Sequence, residues 1–343
     1  AFAGDDSFDW DTGYRGKGQF WFVLQSENTA DNGAEMDGAI PDGNLPFSQP
    51  TIYNATYIGS GIGANAANEH ALLFRDGTGG QYSNSIFTEY ANFAIQVEDR
   101  AASVGVDSRQ RLEDGDLILS NNIWWNFGSG DELNAGANGI IQVSEDAEDP
   151  DAQFLIDHLA ANGNTLEDPA LNGISRMVDG GLDPRPGDIA YGDLAVYPAG
   201  DDFYTPVMFK GAFCQEGVWI QGWTAISEYG YLGAAVPSAA GNCDLMTNID
   251  VVDQNTGIVL SQTVPNPAIS QTQIRFTLPT KTNISLIVSS ATGKEVARIF
   301  DNDPMLAGEH TVDFNVSNLA NGIYFYTLRA GEVVLTKSFV VNN

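Results

Sequence analysis

Apolar and polar residues alternate with a period of two in six short runs near the end of the chain, at 273–278, 284–289, 295–300, 308–314, 322–330 and 333–341. That alternation marks half-buried strands. Turn residues separate the runs, among them Ala291-Thr292-Gly293-Lys294, Leu319-Ala320-Asn321-Gly322 and Ala330-Gly331-Glu332. The pattern predicts a small antiparallel sandwich with no helix of useful length.

The first 130 residues are also β-rich, with long turns and strands that do not pair off as hairpins. Three of these strands share an Asn followed by aliphatic or aromatic residues: Tyr53-Asn54-Ala55-Thr56-Tyr57-Ile58, Ser83-Asn84-Ser85-Ile86-Phe87 and Asn121-Asn122-Ile123-Trp124-Trp125. Aligned on Asn54, Asn84 and Asn122, they recur at unequal spacings of 30 and 38 residues, which suits the irregular coils of a right-handed parallel β-helix with Asn side chains laddered at the bends. The alternative is a β-sandwich with long loops. One helix is expected over 150–162, with Asp149 or Asp151 at its cap, Pro150 at its start, and an end at Asn162-Gly163. The turn-rich stretch 164–185 is expected to wrap or cap the β-helix, and 203–211 and 217–224 read as aromatic, apolar strands with Trp219 and Trp223.

Charge divides the chain where the pattern does. The 343 residues carry 15 Lys+Arg and 45 Asp+Glu, a formal net charge of −30. Residues 258–343 hold equal numbers of acidic and basic side chains, so the whole excess lies in the first 257. The reading is therefore an acidic β-helix-like domain at 1–246, a linker at 247–263 and the sandwich at 264–343. So acidic a chain is repelled by nucleic acid and by anionic membranes. No apolar run approaches the roughly 18 residues of a transmembrane span. The start at Ala1-Phe2-Ala3-Gly4 has no initiator Met and no leader-like apolar segment, so the chain is expected to begin after a removed signal or part-way into a longer protein.

In the last third, Pro265-Asn266-Pro267, Ile274-Arg275-Phe276-Thr277-Leu278-Pro279, Thr292-Gly293-Lys294, Ala307-Gly308-Glu309-His310, Leu319-Ala320-Asn321-Gly322-Ile323-Tyr324 and Lys337-Ser338-Phe339-Val340-Val341 follow one another in order. Together they resemble the type A C-terminal sorting domain of the Bacteroidota type IX secretion system. The resemblance implies an Ig-like sandwich, passage through the periplasm, and transfer across the outer membrane by a translocon with a shuttle barrel and a sortase. The sortase of that system usually removes the domain, here within 245–263, and can attach the cargo to surface lipopolysaccharide. The signal residues carried over are Pro265, Asn266, Pro267, Gly293, Gly308, Gly322, Tyr324 and Lys337. The segment Asp5-Asp6-Ser7-Phe8-Asp9-Trp10-Asp11-Thr12-Gly13-Tyr14-Arg15, with Phe209-Lys210-Gly211-Ala212-Phe213, Trp219 and Gly222-Trp223-Thr224, resembles uncharacterised secreted β-helix proteins of the same phylum, in which further coils come before the Asp-rich segment.

The chemistry in the N-terminal part is sparse. Asp5, Asp6, Asp9, Asp11, Glu35 and Asp37 have the oxygen density a Ca²⁺ ion needs, although the spacing completes no EF-hand loop; the same carboxylates are also suited to pairing with Arg15 and Lys17. Cys214 and Cys243 are the two cysteines of a chain expected in oxidising compartments, and a disulfide between them is expected. His70 and His158 lack a nucleophile motif nearby and read as structural, as does His310. Of Trp124 and Trp125, strand alternation puts one inside and one outside, where it can stack on a sugar ring. Arg15, Lys17 and Arg75 are the basic candidates for a polysaccharide lyase, and paired carboxylates for a hydrolase. The reading for the acidic part is a non-catalytic surface protein in adhesion or glycan binding, with an extracellular polysaccharide lyase or hydrolase as the alternative.

Overall fold

A computed structural model describes the chain except residues 40–42, 101–104, 146, 199–200, 202, 234–235, 238–250, 253–255, 262, 264–267, 269, 291–293, 321, 332 and 342–343, and the side chains of 251, 252, 323, 338 and 340. Cys243, Pro265, Asn266, Pro267, Gly293 and much of the expected linker lie outside the described residues. Two compact units emerge, Ala1–Asp244 and Leu245–Asn343.

The first unit is a parallel β-solenoid. Its first rung is β1 (Phe8–Trp10), β2 (Lys17–Gln19) and β3 (Phe22–Leu24); its second is β4 (Ala34–Asp37), β5 (Thr51–Tyr53) and β6 (Thr56–Ile58). The third is β7 (His70–Arg75), β8 (Gly80–Ser83) and β9 (Ile86–Tyr90). The fourth is β10 (Phe93–Val97), a short helix α1 (Ser108–Glu113), β11 (Leu117–Ser120) and β12 (Ile123–Phe127). The first strands of the rungs pair as sheet A, the second as sheet B and the third as sheet C, all parallel. Alternate side chains point inward, so Trp10, Met36, Phe74 and Val97 stack from sheet A against Tyr57, Tyr82, Phe87 and Trp124. Fully burying each such side chain is worth about 1.5–3 kcal/mol.

The corner between sheets B and C is made by residues in the left-handed region: Phe20 (φ 59°), Asn54 (57°), Asn84 (53°) and Asn121 (54°). Asn tolerates that conformation better than other side-chain-bearing residues do. The repeat of Asn therefore marks this corner, but the ladder runs through Asn121. Asn122, the expected member, stands one residue further on and is buried, donating to the Tyr82 carbonyl (2.9 Å) and accepting from the Ser85 N–H (2.9 Å).

A partial fifth rung closes the stack. Ile141 bridges to Ile95 in sheet A and Thr165 to Ile123 in sheet C. Where a sheet B strand would lie stands α2 (Gln153–Ala161), whose Leu155 and Leu159 enter the core. Its N-terminal residue Ala152 offers no side-chain cap; the Asp149 carboxylate instead accepts from the Gln153 N–H at 2.8 Å, and Gly163 (φ 68°) follows its end. Helix α1, unforeseen in the sequence, is capped by Asp107, which accepts from the Gln110 N–H (2.8 Å).

The described residues between 171 and 236 cover the sides of the solenoid. Leu182, Phe213, Val218 and Ile220 pack on Leu24 and Ile58 of sheet C, while Tyr197 and Tyr204 lie 4.8 and 5.0 Å from Tyr53 of sheet B. The stretches 203–211 and 217–224 are not strands, contrary to the sequence reading; they hold turns and isolated bridges before a short α3 (Ala225–Glu228). Backbone groups of the covering segment bond to the side chains of the solenoid corner. Asn54 donates to the Phe209 carbonyl (2.7 Å), Asn84 exchanges two bonds with Ala195 (3.0 and 2.7 Å), and Asn121 donates to the Asp193 carbonyl (2.5 Å). At Gly211 (φ 85°) the cover passes so close that a methyl group would meet Ile86 and Thr56 at 2.7 Å. Only glycine combines that φ with that approach.

The second unit is an antiparallel sandwich of two four-stranded sheets. Its strands are β13 (Val251–Val252), β14 (Val259–Leu260), β15 (Gln271–Leu278), β16 (Thr282–Ser290), β17 (Glu295–Met305), β18 (Gly308–Asn315), β19 (Gly322–Ala330) and β20 (Val333–Val341), in the orders β13-β14-β15-β18 and β17-β16-β19-β20. The alternation places Ile274, Phe276, Leu278, Ile284, Leu286 and Val288 in one core with Tyr326, Leu328 and Phe339. Residues 251–252 and 259–260 fall inside the expected linker yet form strands, because Ile258 and Leu260 are buried in this core.

Candidate functional site

With sheets B and C covered, sheet A presents the charged surface of the solenoid. Register places Asp9 beside Glu35, Glu35 beside Leu73 and Leu73 beside Gln96, one residue from each rung on the outer face. Two residues further along, Asp37 stands beside Arg75. Asp9 is exposed, and Glu35, Arg75 and Gln96 are partly so.

Arg75 ties this surface together. Its Nε and Nη2 donate to the two oxygens of Asp37 (2.9 and 3.1 Å), and Nη2 also pairs with Glu35. Hydrogen bonds from the guanidinium to Asp37 hold its pKa above the ordinary arginine value. Burial pushes the Glu35 carboxyl up to about 7 against the pull of Arg75, with Asp6, Asp37 and Asp9 adding to the rise. Asp9 is likewise raised, first by burial and then by its acidic neighbours Asp11, Asp6 and Asp37. Asn32 links the row to the edge of the sheet: its Nδ2 donates to Glu35 (3.2 Å) and its N–H to Asp6 (2.7 Å).

The six expected cation ligands therefore divide. Asp5 and Asp6 converge with Asp31, their ligand oxygens within 4.8 Å of one another, the one such group of three among the described residues. Glu35 and Asp37 are engaged by Arg75, Asp9 belongs to the open row, and Asp11, just past the end of β1, acts on Asp9 through its charge. Asp31 and Asn32 escaped the sequence reading, since they approach Asp5 and Asp6 only through the pairing of β1 with β4. A gap of one rung in sequence is the signal that would have found them.

Trp124 is not a glycan contact. It is fully buried, stacked on Phe87 at 4.5 Å with Nε1 donating to Asn164 (3.2 Å), because the alternation turns it inward. Trp125 is 38% exposed. Of the expected lyase bases, Arg15 is exposed, Lys17 pairs with Asp201, and Arg75 is held as described. His70 is buried between Asn32 and Gln142, and burial lowers it to about 4, so it is neutral at physiological pH. His158 accepts from the Leu119 N–H (3.2 Å) and is lowered by burial as well. His310 stacks on Phe276 at 5.1 Å with Nε2 against the Leu306 carbonyl (2.8 Å). Cys214 is fully buried.

In the sandwich, Gly308 (φ 129°) and Gly322 (φ 151°) open β18 and β19 in conformations few other residues adopt. The Tyr324 hydroxyl donates to the Ala320 carbonyl (2.9 Å), pinning the turn before β19, and Lys337 is buried on β20 opposite Tyr326.

Two family models match the chain, and they follow the two units. Residues 1–165 match the pectate-lyase like beta helix domain, and residues 262–342 match the secretion system C-terminal sorting domain. The chain thus combines a parallel β-helix with a type IX secretion signal, which places it at the cell surface or in the extracellular space. No helix among the described residues is long and apolar enough to cross a membrane. No curated protein matches the chain.

Proposed function

We propose that residues 1–244 serve outside the cell as a non-catalytic glycan-binding or adhesive module, delivered by the sandwich through the type IX translocon, shuttle barrel and sortase. The observation that carries this reading is the state of the basic groups. A lyase base must reach its neutral form, whereas Arg75 is forked onto two carboxylates and held above its ordinary pKa. The histidines are equally unsuited: His70 is buried against two amides and His158 is committed to a backbone N–H. Sheet A in this arrangement is a polar, partly accessible surface for hydroxyl-rich ligands.

Glu35 supports a second reading, an extracellular polysaccharide hydrolase or lyase. A carboxyl near pKa 7 with further carboxylates beside it offers the kind of pair that glycosidic cleavage uses, and the scaffold matches a pectate-lyase-like model. Incubation with a panel of neutral and acidic polysaccharides separates the readings. Binding without release of reducing ends or unsaturated products is expected; turnover abolished by Glu35→Gln would overturn the non-catalytic reading.

Three further assignments belong to this proposal. Ca²⁺ is assigned to Asp5, Asp6 and Asp31, with a melting temperature that falls in EDTA and recovers with added Ca²⁺; an unchanged melt contradicts it. Cys214 is assigned a disulfide with Cys243, worth about 3 kcal/mol on the chain-entropy estimate, and two free thiols in non-reducing peptide mass spectrometry would refute it. Surface attachment to lipopolysaccharide follows if the sandwich is removed, and deletion of residues 258–343 should leave the protein in the periplasm.

A further inference from the structure

Away from sheet A, a cleft of about 330 Å³ is walled by Glu27, the glycine-rich loop 60–65, Glu89 and Arg176. Its cation is held by backbone alone. Arg176 Nε donates to the Gln25 carbonyl (3.1 Å) and Nη2 to the Gly59 carbonyl, which fixes the guanidinium plane. Nη1 makes no bond among the described residues and lies next to the cleft wall, 3.6 Å from where a methyl group on Gly61 would stand. Glu89 and Glu27 both act on this guanidinium through their charge, yet neither forms an ion pair with it among the described residues.

Two observations show that the wall is not simply a solvated salt-bridge surface. Arg176 is largely withdrawn from water, which lowers its pKa and leaves a charged donor without a carboxylate partner. Ser60, another wall residue, is 1% exposed and its hydroxyl has no partner among the described residues. Glu89 itself occupies the left-handed region (φ 65°) within β9, with its carboxylate accepting from Asn126 Nδ2. Backbone in that region is costly for a side-chain-bearing residue.

The polar groups select the ligand class. Two carboxylates and one guanidinium leave the cleft net negative, so uronates, sulfates and phosphates are repelled. A neutral sugar has hydroxyls that both donate and accept, and satisfies Arg176 and the two carboxylates together. The volume is at the low end of the roughly 300–1,000 Å³ of small-molecule sites, suited to a single ring. Trp125 pairs in register with Thr88, the residue before Glu89, and is exposed for stacking by an adjoining ring.

We propose that this cleft is a sugar subsite that holds one neutral pyranose of a glycan chain, Arg176 donating to its oxygens and Glu27 and Glu89 accepting from its hydroxyls. It deepens the glycan-binding reading above and rests on it. The test uses the full chain on immobilised gluco-, manno-, galacto- and xylo-oligosaccharides, with oligogalacturonate alongside, comparing wild type with Glu27→Gln, Arg176→Gln and Asp114→Asn, an exposed carboxylate outside both the cleft and the sheet A row. Glu27 is exposed, so its substitution keeps the fold even if Arg176→Gln does not. A neutral oligosaccharide is expected to bind, about tenfold more weakly to Glu27→Gln, the loss of one charge-assisted hydrogen bond, and unchanged to Asp114→Asn. Equal binding by wild type and Glu27→Gln, or binding of oligogalacturonate alone, overturns the cleft while glycan binding stands. Binding of none of these sugars or of any polysaccharide in the earlier panel overturns both.

Discussion

The solenoid and the sandwich bury their sheets in opposite ways. In the sandwich two antiparallel sheets face one another, and strands such as β19 and β20 pair with their neighbours in sequence. In the solenoid each strand pairs with one from the next rung, and the outer faces of sheets B and C are covered by a segment from far along the chain. Those bonds span long separations: Gln19 to Thr205, Asn54 to Phe209, Asn84 to Ala195. The excess of acidic residues also lies on this side of the chain, the last 86 residues being net neutral. A self-contained neutral unit suits a signal read by machinery that must handle many cargoes, while the solenoid carries the surface specific to this protein.

The comparison is broken most severely by core substitutions. Trp124→Ala should cost the solenoid about 3–5 kcal/mol and lower only its transition in calorimetry of the full chain, whereas Trp125→Ala should stay within about 0.5 kcal/mol. Equal effects would contradict the inward and outward assignment. Asn84→Ala comes next. It removes two hydrogen bonds to the covering segment and leaves a non-glycine residue at φ 53°, for an expected loss of about 1–3 kcal/mol, with earlier proteolysis in 190–210 as its local signature.

The smallest effects are electrostatic. Glu35 is raised in the folded protein, so its contribution to stability is full below the ordinary carboxylate range and is lost as pH rises through about 7. Glu35→Gln should therefore flatten the decline of the solenoid transition between about pH 4.5 and pH 7, the span set by that shift. His70 has the opposite sign: its folded pKa of about 4 is depressed, and stability is lost as pH falls from its ordinary value toward that point. An imidazole resonance that titrates near 6.5 in the folded protein would contradict its burial. Added salt should raise the solenoid transition more than that of the sandwich, by screening repulsion among the excess carboxylates.

The sandwich was legible because its pattern is local: period-two alternation and turn residues placed all six long strands, and only Ile258 and Leu260, inside an apparently polar linker, hid two short ones. The solenoid was legible at one corner, where the left-handed backbone favours Asn in three of four rungs, and even there Asn121 and Asn122 are indistinguishable in sequence though one residue apart in role. The covering segment misled because aromatic residues such as Phe209 and Phe213 are needed for an irregular apolar lid as much as for a strand. The candidate sites were least legible. Asp31 joins Asp5 and Asp6, and Arg176 joins Glu27 and Glu89, through contacts between rungs or across the cover, which no local spacing encodes.

The division of labour between the two units is tested most directly by moving the sandwich alone. Residues 258–343 fused behind a periplasmic reporter, in a host with a working type IX system, should carry that reporter to the surface or medium, while the solenoid without the sandwich stays in the periplasm. A reporter retained in the periplasm, or a solenoid exported without its sandwich, would contradict the account.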